Sequence, residues 1–150
     1  MEKQVRETYY KAYRGALEEQ LVQKNYDWVC KLHRELVIRI CAQIPKRADL
    51  HDTIAENMDP VLFKQQLEND CYKGDDFHKM VNYVYEWIKK LCSPARDTEV
   101  QASLDALYAS MGNGDTFGKL VPAFIFGVHE HLDQIEQDKK EFLNKVYKHK

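Results

Sequence analysis

Apolar and aromatic side chains return every three to four residues along nearly the whole chain, the spacing of one helix face. Val5, Tyr9, Tyr13, Leu17 and Leu21 make the first stripe, from Glu2 to about Leu21, and Asn25 marks a break. Val29, Leu32, Leu36, Ile40 and Ile44 make the second. It stops before Pro45, because a residue preceding proline is pushed out of helical geometry. Residues 46–58 read as a connector with helical character only around 50–55. Asp59-Pro60 then opens a helix: the Asp accepts free amide hydrogens, and proline at the first position sacrifices no bond. Leu62, Phe63 and Leu67 give that helix its face, and Gly74 is read as its end. Residues 75–92 carry Phe77, Met80, Val81, Val84, Trp87, Ile88 and Leu91 on one side. Val100, Leu104, Leu107 and Met111 repeat again up to the stop at Gly112-Asn113-Gly114. From a cap at Asp115, the last stripe runs through Phe117, Val121, Phe124, Val128, Leu132, Ile135, Phe142 and Val146, with Pro122 two turns in as an expected kink.

Strand signals are missing: no sustained alternation appears, and Asn113-Gly114 lies between helical patterns. No internal repeat or low-complexity segment interrupts the series. The class is therefore all-α, an irregular bundle of five to seven helices forming a single domain over residues 1–150.

Composition narrows this little. A chain of 150 residues suits one domain, and 44% hydrophobic with 31% charged residues is too apolar for disorder. The formal net charge of −2 gives no global pull toward nucleic acid. No apolar run reaches the roughly 20 residues of a membrane span, and the charged start MEKQVRETYY has no signal-peptide core. The four cysteines, Cys30, Cys41, Cys71 and Cys92, match no zinc spacing. A reduced intracellular setting, cytoplasmic, is the expectation.

Candidate chemistry is sparse. His129-Glu130-His131 puts its imidazoles two residues apart, on different sides of a helix, whereas a helical zinc pair needs three or four; a solvated polar face is expected. Cys92 ends its helix, where the dipole opposes a thiolate, although Arg96 nearby favours one. Residues 112–115 lack the Gly-Lys-Ser/Thr of a phosphate loop. No catalytic residue set, cofactor site or metal site is legible. Lys31, Arg34 and Arg39, with Lys46 and Arg47, are a candidate basic patch for phosphates or an acidic partner; Asp49, Asp52 and Glu56 downstream can balance it. Tyr9, Tyr10 and Tyr13 either seal a core edge or present an aromatic contact surface.

The stretch LCSPARDTEV, residues 91–100, is the densest feature. Ser93-Pro94 suits a helix start and Asp97 is a competing cap, so the chain turns a tight corner between two helices. Arg96 sits in that corner, able to bond the exposed carbonyls ending the first helix or a carboxylate such as Asp97. If the site is buried, its removal costs about 2–4 kcal/mol.

Leu91-Cys92-Ser93-Pro94-Ala95-Arg96-Asp97 followed by Glu99-Val100 resembles the signature of the T-complex protein 11 (Tcp11) family. Tyr10-Lys11-Ala12-Tyr13 with Leu17 and Gln20-Leu21 is similar to the aromatic start of that domain. The apolar helix leading into Pro45 and the stretch from Met58 to Gln66 are also similar, so the resemblance covers about residues 9–146. Members usually run to several hundred residues, and this chain looks like a short, single-domain version. The resemblance implies an all-helical fold without enzymatic activity or catalytic residues, linked to signalling through cyclic AMP and protein kinase A. Cys92, Pro94, Arg96 and Asp97 match the corner motif, as structural or binding residues.

The function expected is a non-enzymatic helical module that binds another protein, with an exposed apolar or aromatic patch near Tyr9, Tyr10 and Tyr13 or a groove beside the corner. An enzyme or small-ligand site around Cys92 and Arg96 is the first alternative. The second is a basic-patch binder of nucleic acid or phosphoinositide through Lys31, Arg34 and Arg39.

Overall fold

A computed structural model describes residues 2–148, with side chains from residue 4 onward. Seven α-helices appear among the described residues: α1 Glu2–Val22, α2 Asp27–Ala42, α3 Ala48–Asn57, α4 Pro60–Glu68, α5 Gly74–Leu91, α6 Asp97–Gly112 and α7 Phe117–Lys148. A 3₁₀ turn, Pro94–Arg96, joins α5 to α6. No strand occurs among the described residues. The all-α bundle expected from the periodicity is the architecture found.

α7 is the axis. Its 32 residues span about 48 Å at helical rise, and α1, α2, α5 and α6 all pack on it. Leu120, Val121, Phe124, Ile125, Val128, Leu132 and Ile135 from α7 meet Leu17 of α1, Leu36 and Ile40 of α2, Phe77, Val84 and Ile88 of α5, and Leu104 of α6 in one core. Pro122 is buried in the second turn of α7 and the helix continues through it. Tyr85 donates to or accepts from Ser103 at 2.7 Å, tying α5 to α6.

Helix boundaries refine the sequence reading in four places. Residues 46–58 contain a full helix, because Leu50, Ile54 and Met58 repeat at four-residue intervals and Ile54 and Met58 are buried. Gly74 opens α5 instead of ending α4; the Asp76 carboxylate accepts the Lys73 amide at 2.9 Å and closes that N-terminus. At α7 the first backbone bonds return to the Thr116 carbonyl, so Thr116 and not Asp115 holds the cap position. The break near Asn25 is centred one residue earlier, on Lys24, whose φ of 59° is left-handed. Asp59 behaves as expected: its Oδ1 accepts from Val61 at 2.9 Å and Leu62 at 3.3 Å.

The Lys24 turn is one of three alike. α1, α4 and α6 end on a left-handed residue, Lys24, Asp70 and Gly114, and the next amide reaches back to close the helix: Asn25 to Gln20 at 2.9 Å, Cys71 to Gln66 at 2.8 Å, Asp115 to Ser110 at 3.2 Å.

The first stripe also faces differently from expectation. Leu17 is fully buried, whereas Val5, Tyr9 and Tyr13 are about half exposed. The inward face of α1 keeps Leu17 and Leu21 of that stripe, and in its N-terminal half Tyr10 packs on the core in place of Tyr9.

Candidate interaction face at the helix corner

The corner folds around Arg96. Its Nε and Nη2 donate to the two carboxylate oxygens of Asp138 on α7, each at 3.2 Å, and Nη1 donates to Glu99 at 3.2 Å. The partners are side chains of α7 and α6, not the carbonyls ending α5 and not Asp97. A 3₁₀ turn shorter than a full helical turn aims the guanidinium across to α7, where Asp138 lies within reach. Asp138 holds the guanidinium more firmly charged than usual, with partial burial opposing and Glu99 adding to it. The Arg96 side chain keeps a third of its surface in water, 33%, so the cost of removing it falls below that of a buried site.

Cys92 lies close to this pair as the residue that caps the C-terminal end of α5. Its Sγ–H donates weakly to the Asp97 carboxylate at 3.6 Å and to the Lys89 carbonyl at 3.7 Å. Burial and the Asp97 carboxylate push the thiol pKa up, so it stays protonated. The helix-end dipole read from the sequence acts in the same direction. Pro94 is exposed at the first position of the turn, and Ser93 makes no side-chain cap bond.

Beside the corner is a notch of about 400 Å³, lined by Leu91, Cys92, Ile135, Asp138, Phe142 and Leu143. Its floor is the end of the core. Ile135 is 3% exposed, but Phe142 and Val146, which continue the same face about two and three turns further on at seven- and eleven-residue spacing, are 66% and 40% exposed, with Leu143 at 52%. The core stripe of α7 therefore outruns the bundle. Residues 139–148 carry Lys139, Lys140, Lys145 and Lys148 against Glu141, giving the overhang a basic polar side.

A second polar cluster pins α2 to α7. Arg39 Nη2 bonds Asp133 at 2.8 Å and Glu136 at 3.1 Å, and Nη1 donates to His129 Nδ1 at 3.0 Å and to the His129 carbonyl at 3.2 Å. Tyr10 donates to the other Asp133 oxygen from α1. Partial burial works against the Arg39 charge, but the two carboxylates outweigh it. Burial, then the Asp133 bond, raises the Tyr10 hydroxyl pKa. The acidic run Asp133, Glu136 and Asp138 is thus matched by two arginines from other parts of the chain.

His129 and His131 are not on a solvated face: they are 7% and 9% exposed. The offset of α7 against α2 and α5 turns each into a different interior surface. With Nδ1 accepting from Arg39, His129 carries its proton on Nε2, which faces the Leu32 carbonyl at 3.4 Å. His131 meets the Tyr85 ring edge-on at 5.9 Å. Burial lowers the pKa of both, and Arg39 lowers that of His129 further. No group of three metal-ligating side chains occurs among the described residues.

The basic patch comes apart. Lys31 and Arg34 are exposed on α2, but Arg39 turns inward to its carboxylates, and Arg47 pairs with Asp49 at 2.9 Å. The tyrosine cluster divides too. Tyr10 seals the core edge, while Tyr9 and Tyr13 stack at 6.2 Å on the outside. Tyr13 also meets Trp28 edge-on and Phe126 nearly parallel, at 6.2 and 6.4 Å. No helix among the described residues is long and apolar enough to cross a membrane.

Sequence reasoning found the corner residues but not their partners Asp138 and Glu99, nor the overhang. The available signal for the overhang was length: a stripe from Phe117 to Val146 is longer than any other helix of the chain can cover.

No solved structure matches the chain. The family model described as T-complex protein 11 matches residues 1–139, which include every residue of the corner and its Asp138 anchor. The chain belongs to the T-complex protein 11 family.

Proposed function

We propose that this chain is a non-enzymatic helical module that binds another protein through the notch and the α7 overhang. The observation that carries the reading is the continuation of the core stripe into solvent at Phe142, Leu143 and Val146, directly beside an apolar notch. Isolated exposed hydrophobic residues are ordinary; a contiguous stripe next to a groove is the form of a helix-docking site. The overhang sets four lysines against one glutamate, so the fitting partner is a helix with an apolar face flanked by acidic side chains. A second copy of this chain would bring like charges together. The protonated Cys92 thiol and the Arg96 guanidinium shared by two carboxylates fit a scaffold better than a reaction centre.

Modulation of signalling through cyclic AMP and protein kinase A is what the family resemblance implies for the consequence of that binding. The experiment is affinity capture on the purified chain, followed by reconstitution with the recovered protein and measurement of cyclic-AMP activation of the kinase holoenzyme. The reading requires reconstituted binding that Phe142→Asp with Leu143→Asp abolishes, and a shifted activation curve. An unchanged curve despite binding removes the kinase part alone. Failure of any recovered protein to bind on reconstitution removes the module reading.

A further inference from the structure

A second cavity, of about 360 Å³, lies at the opposite end of α5 from the corner, between α2, α4 and α5. Its walls come from His33, Met58, Phe63, Tyr72, Met80 and Tyr83. Four of these are rings. His33 stacks on Phe63 at 4.3 Å, and Phe63 meets Tyr72 at 5.3 Å with planes 88° apart, so the walls turn a right angle. Two methionines complete the lining, and flexible thioethers accommodate bodies of varied shape.

Two polar atoms in these walls have no hydrogen-bond partner: His33 Nδ1 and the Tyr83 hydroxyl, both shielded from bulk water. His33 itself is 1% exposed. Interiors rarely leave such atoms unpaired, and two in one wall mark a place where a ligand can supply what the fold does not. Around them stand Glu56, Asp59 and Asp76 against Lys79, an excess of negative charge. Aromatic faces, unpaired acceptors and a negative rim all favour the same kind of guest.

We infer that this cavity binds a small primary amine in its ammonium form, carried on an aromatic or aliphatic body. The ammonium donates to the Tyr83 oxygen and to His33 Nδ1, both side chains shifting rotamer to open these closed-off atoms to it, and the rim carboxylates supply the counter-charge. The apolar body rests against Phe63, Tyr72 and the methionines. This site is separate from the notch, and its fate does not bear on the docking reading.

The test uses the full chain and three probes of similar shape: phenethylamine, 2-phenylethanol and 3-phenylpropionate. Binding is read from the ring signals of His33 and Tyr83 in NMR titrations and from melting temperature. Phenethylamine should saturate both signals, with the alcohol about five-fold weaker or worse and the carboxylate weakest. Tyr83→Phe removes an unpaired hydroxyl and so keeps the fold; it and Glu56→Gln should each weaken phenethylamine about three-fold or more at unchanged melting temperature. Equal binding of amine and alcohol would overturn the inference, as would indifference to both substitutions. Absence of saturable binding by phenethylamine would overturn it as well.

Discussion

The Arg96 guanidinium and the Asp138 carboxylate meet in a side-by-side pair, Nε to Oδ2 and Nη2 to Oδ1, both at 3.2 Å. This joins the turn between α5 and α6 to α7 across 42 residues of sequence, at the point where α7 leaves the bundle. Paired donors and acceptors fix orientation as well as distance. With a third of the Arg96 side chain in water, the pair is a clamp of modest strength. Arg96→Ala should stay folded and lose about 1 kcal/mol, or roughly 3 °C in melting temperature. Asp138→Asn should cost a similar amount. In a double-mutant cycle by denaturant unfolding, most of the two losses should be shared. Full additivity would show that the pair contributes nothing as a pair.

Arg39 is held more deeply than Arg96, with 23% of its side chain exposed, and joins α2 to α7 through Asp133, Glu136 and His129. Arg39→Met would leave Asp133, Glu136 and His129 without their common donor. Chemical denaturation should report a loss of about 2 kcal/mol, larger than for Arg96→Ala. Tyr10→Phe should cost about 1 kcal/mol, since Asp133 keeps its arginine. If Arg39→Met proved milder than Arg96→Ala, the ordering of the two clusters would be wrong.

Burial sets the acid response. The His33 pKa falls from 6.5 to about 4, and His129 and His131 shift in the same direction. The unfolded chain therefore binds these protons first as pH drops. The neutral histidines contribute their full stability above about pH 6.5 and lose it between there and about pH 4, the folded value for His33. For His33 the linkage amounts to about 3 kcal/mol. Melting temperature should fall over that window, and His33→Leu should flatten the fall. An equal slope in the variant would mean that His33 is not buried in its neutral form.

Thiol chemistry separates a scaffold from a reactive site. Cys71 is exposed, Cys92 is half-buried beside Asp97 with a raised pKa, and Cys30 is buried with its pKa raised by desolvation. Iodoacetamide labelling at neutral pH, followed by peptide mass spectrometry, should modify Cys71 first, Cys92 more slowly and Cys30 last. Fastest labelling at Cys92 would revive the reading of the corner as a nucleophilic site.

Legibility in the sequence followed how local each determinant is. The helices were readable from periodicity, and the Asp59-Pro60 start and the 112–114 stop from local hydrogen-bond chemistry. α3 was underestimated because its buried residue Ile54, with half-buried Leu50 before it and buried Met58 just past its end, sits among charged neighbours that mask the spacing. The corner motif was readable, but Arg96 chooses Asp138 through the rotation of α7, which no local pattern specifies. His129 and His131 were misplaced for the same reason. Their two-residue spacing excludes a shared helical face correctly, yet only packing against α2 and α5 reveals that both faces are interior. Tyr9, Tyr10 and Tyr13 show the limit most clearly: one cluster in sequence, in which Tyr9 and Tyr13 shared the apolar stripe, becomes one core-edge residue, Tyr10, and two outward rings once α1 is packed against α7.

The docking reading rests on Phe142 and Leu143, and the most direct measurement is a calorimetric titration of the captured partner against three forms of the chain. These are the unmodified chain, Phe142→Asp with Leu143→Asp, and Tyr9→Ser with Tyr13→Ser, each first shown by melting to be folded. The overhang variant should bind at least about ten-fold more weakly, while the tyrosine variant stays within about three-fold of the unmodified chain. Undiminished binding by the overhang variant would contradict the account and move the contact surface away from the end of α7.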